Sequence, residues 1–434
     1  MQNGTLVTGS GRSDGEAVGW PATPPQVAPA ATLPTPPVLP RIKVLHVITR
    51  FEAGAGGNTL LSAEGMDPER YEVWIAGVPG GDLWEPARAA GLRTAEIPGF
   101  RHTLTPVDLL VLWRLVRLVR RERFTVVHTH SGKGGFLGRA AARLCRTPVV
   151  VHTFHGFSFH PYMSRRRRTA YRWLERATRR FTHRFLAVAP RVAREAVDER
   201  LAPPGLVHVV PSAVDLGHIP EGFDPVARHV LGVPREKTLI GTVGRIDYQK
   251  APWDFVRMAA AIRADHPGTA FVVIGDGPLE DEVRRLAAEL DVDVTFTGYR
   301  PDASWLVAGL DVFVMTSLYE GLGRALTEAL AAARPVVATA VNGVPDLVEH
   351  GATGLLVPPA DPEGEARAVS WLLDHPGEAA EMGRQGRRRV RTSFAPQAMC
   401  AAVDDCYREL LGLPPLHDRV ATGTSRTRGT APGP

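Results

Sequence analysis

The stretch "DVFVMTSLYEGLGRALTEAL" (residues 311–330) changes character twice within a short distance. It begins with an apolar run typical of a buried strand, passes through two glycines, and ends in strong helix formers. This order predicts a strand, a loop and then a helix that begins near Arg324. A strand–loop–helix unit of this kind is the building block of a parallel sheet covered by helices.

Two glutamates, Glu320 and Glu328, lie on either side of the predicted start of the helix. On one continuous helix their eight-residue spacing would place the carboxylates roughly 80° apart, which is a poor arrangement for one shared ligand atom. We therefore expect the chain to bend at Gly321 and Gly323, with Glu320 on the loop and Glu328 inside the helix. The backbone N–H groups from Gly321 to Arg324 would then form a helix N-terminus, where anions bind readily.

Units of the same kind recur along the chain and decide the fold class. The strand-like runs of the first series are "RIKVLHVIT" (41–49), "YEVWIAGV" (71–78), "TVVHTH" (125–130), "PVVVHTFHG" (148–156) and "RFLAVAP" (184–190). Those of the second series are "TLIGTVGRI" (238–246), "AFVVIGDG" (270–277), "VTFTG" (294–298), "DVFVMTS" (311–317) and "PVVATA" (335–340). Strands that alternate with helices predict βαβ units, so the sequence predicts an α/β protein with two doubly wound, Rossmann-like domains.

The domain limits follow from these two series. We expect an N-terminal domain at 41–213 and a C-terminal domain at 214–394, with a helix at about 395–412 that packs back on the first domain. Residues 1–40, which are rich in proline and alanine, and residues 413–434 lack apolar periodicity, so both are predicted to be disordered tails.

Composition narrows the class of protein. The 434 residues are 44% hydrophobic and 22% charged, as in globular proteins with sizeable cores. The sequence has neither an apolar run long enough to span a membrane nor a signal peptide pattern. Three cysteines without a C-x-x-C pair predict a reducing, cytoplasmic location and neither a disulfide framework nor a zinc site.

Positive charge is concentrated in one part of the chain. Residues 101–200 contain 22 Lys and Arg against 6 Asp and Glu, although the net charge of the whole chain is only +5. In "TPVDLLVLWRLVRLVRRERF" (105–124) and "SRRRRTAYRWLERATRRF" (164–181) the arginines recur at helical spacing beside apolar residues. Such basic amphipathic helices suit an anionic membrane surface, and a solvated face on helices that cover the sheet explains them equally well. Nucleic acid is not expected, because no recognised binding module is present.

A pair of cations follows the first strand of the second series. In "GTVGRIDYQKA" (241–251), Arg245 and Lys250 come just after the strand, on a loop opened by Gly244. Two flexible cations beside a closely approaching backbone suit a diphosphate. A solvated basic turn is the simpler interpretation of this fragment taken alone.

Together these segments resemble a known family. With "VVIGDGPLEDEV" (272–283), "FTGYRPD" (296–302) and "NGVPDLVEHGATGLLVPPAD" (342–361), they are similar in order and spacing to the family-4 retaining glycosyltransferases of the GT-B fold. The resemblance extends over nearly all of residues 41–410. It implies that the two Rossmann-like domains face a central cleft, with the acceptor on the N-terminal domain and the nucleotide-sugar on the C-terminal domain.

The resemblance also implies roles for the donor residues. Arg245 and Lys250 match the pair that binds the donor diphosphate. Glu320 matches the acid that contacts the hydroxyls of the donor sugar, and Glu328 matches the one that holds the ribose hydroxyls. With His130, which matches the family histidine at the sugar-binding cleft, Arg245, Lys250 and Glu320 form the predicted catalytic set.

Further donor contacts are implied through the backbone. Gly321, Leu322 and Gly323 would contact the sugar and the phosphates, although many relatives carry proline or another residue in place of Gly323. Arg300 lies in the loop 298–302 that would bind the base.

The N-terminal half contributes three further residues. Gly56 and Gly57 belong to the loop "FEAGAGGN" (51–58) that approaches the donor phosphates in the family, but the acidic and basic residues that follow in many relatives are absent here. His155 is expected on the acceptor side of the cleft.

The reaction implied is the transfer of a sugar from a nucleotide-sugar, most simply a UDP-sugar with GDP as the alternative, to a glycan or polyprenyl-linked acceptor with retention at the anomeric carbon. The leaving diphosphate would be stabilised by cations and backbone N–H groups, with no metal or other cofactor required. A front-side displacement, in which the departing phosphate helps to deprotonate the acceptor, is what the family suggests. Two alternatives remain at this point: a nucleotide-sugar 2-epimerase on the same fold, and a non-catalytic protein that binds membranes or polyanions. The expected location is the cytoplasm, peripherally on the inner face of the cell membrane.

Overall fold

The structure is a computed structural model that describes residues 40–100, 104–130 and 132–414. The predicted disordered tails therefore lie outside the described residues, apart from Pro40, Leu413 and Pro414. The described chain forms two parallel sheets, with seven and six strands, as predicted for two Rossmann-like domains.

The N-terminal sheet has the strand order β3-β2-β1-β4-β5-β6-β7, and each neighbouring pair is parallel. Its strands are β1 (Ile42–Val47), β2 (Tyr71–Gly77), β3 (Arg93–Glu96), β4 (Val126–His130), β5 (Val149–Phe154), β6 (Arg184–Ala187) and β7 (Val207–Val209). The order reverses between β1 and β4, so the switch point of this sheet lies between these two strands.

The C-terminal sheet has the order β10-β9-β8-β11-β12-β13, again with parallel pairs throughout. Its strands are β8 (Thr238–Val243), β9 (Thr269–Ile274), β10 (Val294–Phe296), β11 (Val312–Met315), β12 (Val336–Thr339) and β13 (Leu355–Val357). The switch point of this sheet lies between β8 and β11.

Helices cover both sheets. Those from the N-terminal half are α1 (Ala53–Glu64), α2 (Trp84–Ala89), α3 (Asp108–Glu122), α4 (Gly132–Cys145), α5 (Arg165–Thr178) and α6 (Pro190–Asp198). Those that follow are α7 (Pro225–Val230), α8 (Pro252–Asp265), α9 (Glu280–Glu289), α10 (Ala303–Leu306), α11 (Arg324–Ala331), α12 (Val344–Leu347), α13 (Pro362–Asp374), α14 (Pro376–Ser393) and α15 (Pro396–Leu410). Short 3₁₀ turns occur at Arg179–Phe181, Pro204–Leu206, Tyr248–Lys250 and Val307–Gly309. No helix in the described part of the chain is both long enough and apolar enough to cross a membrane.

The central strands are buried on both faces, and β4 and β5 bury histidine and threonine side chains as well as apolar ones. Every residue of β4, β5, β11 and β12 is buried, as expected for strands covered by helices on both sides of a parallel sheet. The predicted strands correspond to those observed, but β3, β7 and β13 were not predicted. β3 and β7 are short and partly exposed, and β13 has only three residues, so none carries the long apolar run that marks a central strand.

The glycine-rich segment after β1 departs from the prediction of a loop. Helix α1 already begins at Ala53, so Gly56 and Gly57 lie in its first turns, after a non-helical Gly54. Glycine is a poor helix former, which is why its sequence reads as a loop. Contacts with the rest of the domain override this local preference.

The last helix returns to the N-terminal sheet. Met399, Val403 and Tyr407 of α15 belong to the same apolar cluster as strands β1 and β2. The Tyr71 hydroxyl donates a hydrogen bond of 2.5 Å to Asp404 in α15. The chain therefore starts and ends its described part on one domain and forms the other domain in between.

Candidate active site

The carboxyl ends of β8 and β11 meet at the switch point of the C-terminal sheet, where ligands of doubly wound proteins bind. The segment after β8 carries Arg245 and Lys250, and the segment after β11 carries Glu320. Residues separated by about 70 positions in sequence are thus brought to one edge of the sheet by strand pairing alone.

Lys250 and Glu320 form an ion pair, with 2.5 Å between the Lys250 Nζ and Glu320 Oε2 atoms. The side chains of both residues are largely shielded from solvent, with exposed fractions of 26% and 13%. The Thr316 hydroxyl donates to the Lys250 carbonyl at 2.7 Å, and the Gln249 amide donates to the Tyr319 carbonyl at 3.0 Å. These bonds fix the two loops to each other, so the ammonium of Lys250 and the carboxylate of Glu320 are held close together.

Arg245 lies beside this pair and keeps more freedom. Its Nε donates a hydrogen bond of 2.7 Å to Asp247, and its side chain is 42% exposed. Arg245, Lys250 and Ser317 line one small cavity of about 20 Å³ next to Gly244. The predicted diphosphate pair therefore faces a common space.

Glu328 lies inside α11, as predicted, and pairs with Arg324, which was not among the predicted site residues. The Arg324 Nε donates to Glu328 Oε1 at 2.9 Å. Burial raises the pKa of Glu328, and the guanidinium of Arg324 opposes that effect. Arg324 also lies directly against Gly57 of α1, because a Cβ atom at Gly57 would come within 1.9 Å of its Nη1 atom. The predicted residues Gly57 and Glu328 are thus connected through Arg324.

The bend between the two glutamates depends on Gly321 and Gly323. Gly323 caps α11 with a φ of 93°, a conformation that glycine adopts without strain. A Cβ atom at Gly321 would lie 1.8 Å from the carbonyl oxygen of His155 in the N-terminal domain. Only glycine permits this approach, so the loop after Glu320 is one of the points where the two domains meet. The Leu322 side chain points instead into the apolar core.

A row of histidines leads from the core of the N-terminal domain to this contact. His46 Nδ1 lies 2.9 Å from His130 Nε2, and His130 Nδ1 lies 3.0 Å from His155 Nε2. His130 is therefore buried behind His155, and His155, expected on the acceptor side, is the member whose backbone meets Gly321. Burial lowers the pKa of His46 to about 3 and that of His155 to about 4, so both rings are neutral at pH 7.

The hydrogen-bond geometry favours one set of tautomers in this row. His46 Nε2 is buried without a hydrogen-bond partner among the described residues. A buried N–H group without an acceptor is rarer in proteins than an unsatisfied acceptor, so the proton of His46 belongs on Nδ1. His46 then donates to His130, and His130 donates to His155. The proton of His155 then lies on its Nδ1 atom, which has no hydrogen-bond partner among the described residues.

The same histidines include a set with metal-like spacing. Nitrogen atoms of His46, His128 and His130 lie within 4.8 Å of one another. Both nitrogens of His128 are within 2.6 Å of hydroxyls, those of Tyr407 and Thr153. Hydrogen bonds within the protein thus account for the packing of this set.

A second connection between the domains involves an amide that was not predicted. Asn342 accepts a hydrogen bond of 2.9 Å from the backbone N–H of Glu320 and donates one of 2.8 Å to Glu195 of α6. The loop that carries Glu320 is thus held from both sides of the cleft. The sequence feature that could have indicated this residue is the "NGVPD" segment after β12, which begins with Asn342.

Arg300 is placed differently from the other predicted donor residues. Its guanidinium forms two hydrogen bonds, of 2.8 and 2.6 Å, with Asp302 in the same loop. The neighbouring Tyr299 crosses to the N-terminal domain and donates a hydrogen bond to Asp82. The loop predicted to bind the base therefore also joins the two domains, with its arginine already paired.

Comparison with known proteins identifies the family. Residues 54–218 match the family described as Glycosyltransferase Family 4, and residues 237–375 match the glycosyl transferases group 1. A 2-deoxystreptamine N-acetyl-D-glucosaminyltransferase of Streptomyces fradiae is 30% identical over 398 residues, which cover 86% of this chain and 91% of the relative.

This chain belongs to the family-4 glycosyltransferases.

Other relatives agree with this assignment. A UDP-Gal:alpha-D-GlcNAc-diphosphoundecaprenol alpha-1,3-galactosyltransferase of Escherichia coli is 29% identical over 347 residues, covering 77% of this glycosyltransferase and 88% of the relative. The Anabaena protein HepE, solved in complex with UDP and glucose, is 17% identical and superposes with a TM-score of 0.74. The match covers 85% of this chain and 100% of the HepE chain. The latter likeness establishes the GT-B fold. The family assignment makes the protein an enzyme that transfers a sugar from a nucleotide-sugar, and the epimerase alternative is not favoured.

Proposed function

We propose that this glycosyltransferase transfers a sugar from a UDP-sugar to a glycan or polyprenyl-linked acceptor, with retention at the anomeric carbon. The observation that carries the proposal is the meeting of Arg245, Lys250 and Glu320 at the switch point of the C-terminal sheet. Support for the nucleotide and the acceptor comes from relatives and structural neighbours, one of which acts on a diphosphoundecaprenol-linked sugar and another of which binds UDP.

In this proposal Arg245 and Lys250 hold the donor diphosphate. The bond between the sugar and the diphosphate breaks, negative charge grows on the leaving phosphate, and two nearby cations stabilise that charge. Because Lys250 is paired with Glu320, a diphosphate that reaches its ammonium must compete with this carboxylate. Glu320 is then free to accept hydrogen bonds from sugar hydroxyls. No metal is required in this scheme, since Arg245 and Lys250 supply the positive charge.

The nucleoside end is assigned to α11. Glu328 accepts a hydrogen bond from Arg324, and its second carboxylate oxygen can accept hydrogen bonds from the ribose hydroxyls. Arg324, one turn earlier, lies between Glu328 and Gly57 of the other domain. The guanidinium can therefore contribute to binding the donor from the domain boundary. The Nδ1–H of His155, whose backbone meets Gly321 at the same boundary, is assigned as a donor for a sugar hydroxyl.

Association with a membrane surface is part of the proposal, because the acceptor is expected to be lipid-linked. Helix α3 exposes apolar side chains to solvent, including Leu109 at 76% and Trp113 at 54%, beside the arginines of α3. Trp173 in helix α5 is 66% exposed. Arginines with exposed aromatic and leucine side chains are typical of helices that lie in a lipid headgroup region. Some of the basic residues have another role, since Arg172 and Arg176 pair with Glu199.

The donor is tested by incubating the purified protein with UDP-sugars and GDP-sugars and measuring the release of nucleoside diphosphate and the thermal stability. We expect a UDP-sugar to stabilise the protein and to be slowly hydrolysed, and Lys250→Met to abolish both effects. Arg285→Gln is the matched control, because Arg285 is an exposed arginine of α9 that contacts a carbonyl of its own helix. The proposal fails if no UDP-sugar stabilises the protein or if Lys250→Met behaves as the wild type.

The membrane association is tested by flotation with vesicles of phosphatidylcholine, with and without phosphatidylglycerol, at low salt. We expect binding to the anionic vesicles and its loss in the double variant Leu109→Asp/Trp113→Asp. The control Val226→Asp/Leu290→Asp introduces the same charges at exposed positions of the C-terminal domain. Equal binding by both double variants would show that α3 does not form the membrane-binding surface.

A further inference from the structure

A second cavity lies at the opposite edge of the C-terminal sheet from the donor residues. It has a volume of about 650 Å³ and is bordered by Thr238 and Val312, at the amino ends of β8 and β11. The six residues of β8 separate it from Gly244 by about 20 Å, at the usual rise of a strand. A phosphate group in this cavity therefore cannot also contact the proposed diphosphate site.

Arginine dominates the lining of this cavity. Five arginines face it, and four of them come from one face of α14, at spacings of three, one and three residues. The five are Arg334, Arg384, Arg387, Arg388 and Arg391. Among the described residues that line it, two are acidic, Glu221 and Asp311. Positive charge therefore exceeds negative charge in a confined space.

The acidic groups near the cavity are already occupied. Asp311 is paired with Arg228, which lies outside the lining, and accepts a hydrogen bond of 2.7 Å from the backbone of Leu239. One carboxylate, that of Glu381, is shared by Arg384 and Arg388, each at 2.8 Å. The other acidic lining residue, Glu221, pairs with Arg387 at 3.3 Å. Arg334 and Arg391 therefore remain without an ion pair among the described residues.

The other three arginines retain unused capacity to donate hydrogen bonds. Arg334 donates to the carbonyls of Leu310 and Ala332 at 3.0 and 3.1 Å rather than to a carboxylate. The Nε atom of Arg387 is buried and has no hydrogen-bond partner in the described part of the chain. Arg391 is exposed, and no ion pair within the described residues involves it. An oxyanion in the cavity would satisfy donors that the protein leaves open.

The remaining lining is apolar. It comes from the end of α13 and the start of α14 and comprises Leu372, Leu373, Pro376, Ala379 and Ala380. The volume falls within the usual range for small-molecule sites, which combine an apolar lining with a few converging polar groups. Guanidinium groups bind phosphate through paired hydrogen bonds.

We propose that this cavity is a second anion site, which binds a phosphate or diphosphate group attached to an organic moiety. The phosphate contacts the α14 arginines and Arg334, and the organic moiety contacts the apolar wall formed by α13 and α14. The same chemistry is offered by a soluble phosphate ester and by a lipid headgroup. This site does not depend on the donor proposed above.

The test uses the full chain carrying Arg245→Ala/Lys250→Ala, so that the proposed donor pair cannot bind the probe. Inorganic pyrophosphate is titrated calorimetrically at low salt. We expect one site per chain, with an affinity at least tenfold lower after Arg388→Gln/Arg391→Gln is added. The control Arg285→Gln/Arg367→Gln removes two exposed arginines of the same domain outside the cavity and is expected to bind within twofold.

A second arm distinguishes the source of the phosphate. Vesicles containing phosphatidylglycerol are tested by flotation with the same variants, and Arg391→Glu, an exposed single change, guards against misfolding of the double variant. Loss of pyrophosphate binding identifies a soluble phosphate ligand, and loss of vesicle binding alone identifies a headgroup. If the cavity variants alter neither pyrophosphate nor vesicle binding, the proposal is wrong.

Discussion

Replacement of Gly321 by alanine tests whether the two domains must meet at this residue for activity. The added Cβ atom would lie 1.8 Å from the carbonyl oxygen of His155, whereas ordinary contacts of this kind begin at 3.4 Å. About 1.6 Å of separation is therefore needed at this point. The Cβ atom is fixed to Cα and its partner is a backbone carbonyl, so no side-chain rotation can relieve the clash.

The expected result is a loss of activity without a loss of folding. Gly321 is not among the described residues with positive φ, so alanine adopts its backbone conformation without strain. The clash is relieved most easily by opening the cleft between the two domains. This opening moves the residues of the N-terminal domain away from the donor. A displacement of this size can lower the rate by about 10²-fold, equivalent to about 2.7 kcal/mol of transition-state stabilisation.

The assay is kcat/KM for the donor found in the nucleotide-sugar screen, together with the thermal unfolding midpoint. Gly268→Ala is the control, because a Cβ atom at Gly268 would have no neighbour within 4 Å. We expect the control to match the wild type in both measurements. The reasoning is refuted if Gly321→Ala keeps kcat/KM within threefold of the wild type. It is also refuted if the unfolding midpoint falls sharply, since the clash would then be absorbed inside a domain.

Three further predictions concern single side chains. Lys250→Met should lower kcat by about 10²- to 10³-fold, the usual cost of removing one group that stabilises developing charge; an unchanged kcat in steady-state assays would exclude this role. Glu328→Gln should raise the donor KM and the UDP inhibition constant together by at least about tenfold, because a charged hydrogen bond contributes about 1.5–3 kcal/mol; titration of donor and UDP measures both, and an effect on kcat alone would contradict a ribose contact. Burial lowers the pKa of His46 from 6.5 to about 3. The unfolded chain therefore binds the proton first, and stability falls as the pH drops from 6.5 towards 3, by about 2 kcal/mol for this ring at pH 5. Urea unfolding at several pH values should show this loss, and His46→Leu should reduce it.

The position of the residues proposed to bind the donor could be predicted because it depends on local order along the chain. Arg245, Lys250 and Glu320 each follow an apolar strand, and parallel strands bring their carboxyl ends to one edge. The bend between Glu320 and Glu328 could be predicted for a similar reason, since the glycines that cause it lie within the same few residues.

Contacts across the cleft could not be predicted in the same way. The approach of Gly321 to His155 and of Arg324 to Gly57 joins residues far apart in sequence, and no periodicity relates them. The start of α1 was missed because its glycines disfavour a helix in isolation, while packing in the folded chain stabilises it.

The arginine cavity escaped prediction for a different reason. Arginines at helical spacing on α14 look like an ordinary solvated face. Their excess over acids becomes informative only when Arg334 and the amino ends of the strands are known to close the space.

Helix α11 extends from the proposed donor site to the arginine cavity. Its first residue, Arg324, lies at the proposed donor site, and the residues just beyond its end, Ala333 and Arg334, line the arginine cavity. Gly383 and Gly386 let α14 press directly on this helix, since Cβ atoms there would meet Ala333 and Leu330 at 2.2 and 2.5 Å.

Helix α14 therefore packs directly against the eight-residue helix that carries Glu328. If an anion in the cavity changes the affinity for the donor by some factor, thermodynamic linkage requires the donor to change the affinity for that anion by the same factor. Titration of each ligand in the presence and absence of the other measures that factor twice, once at the donor site and once at the arginine cavity.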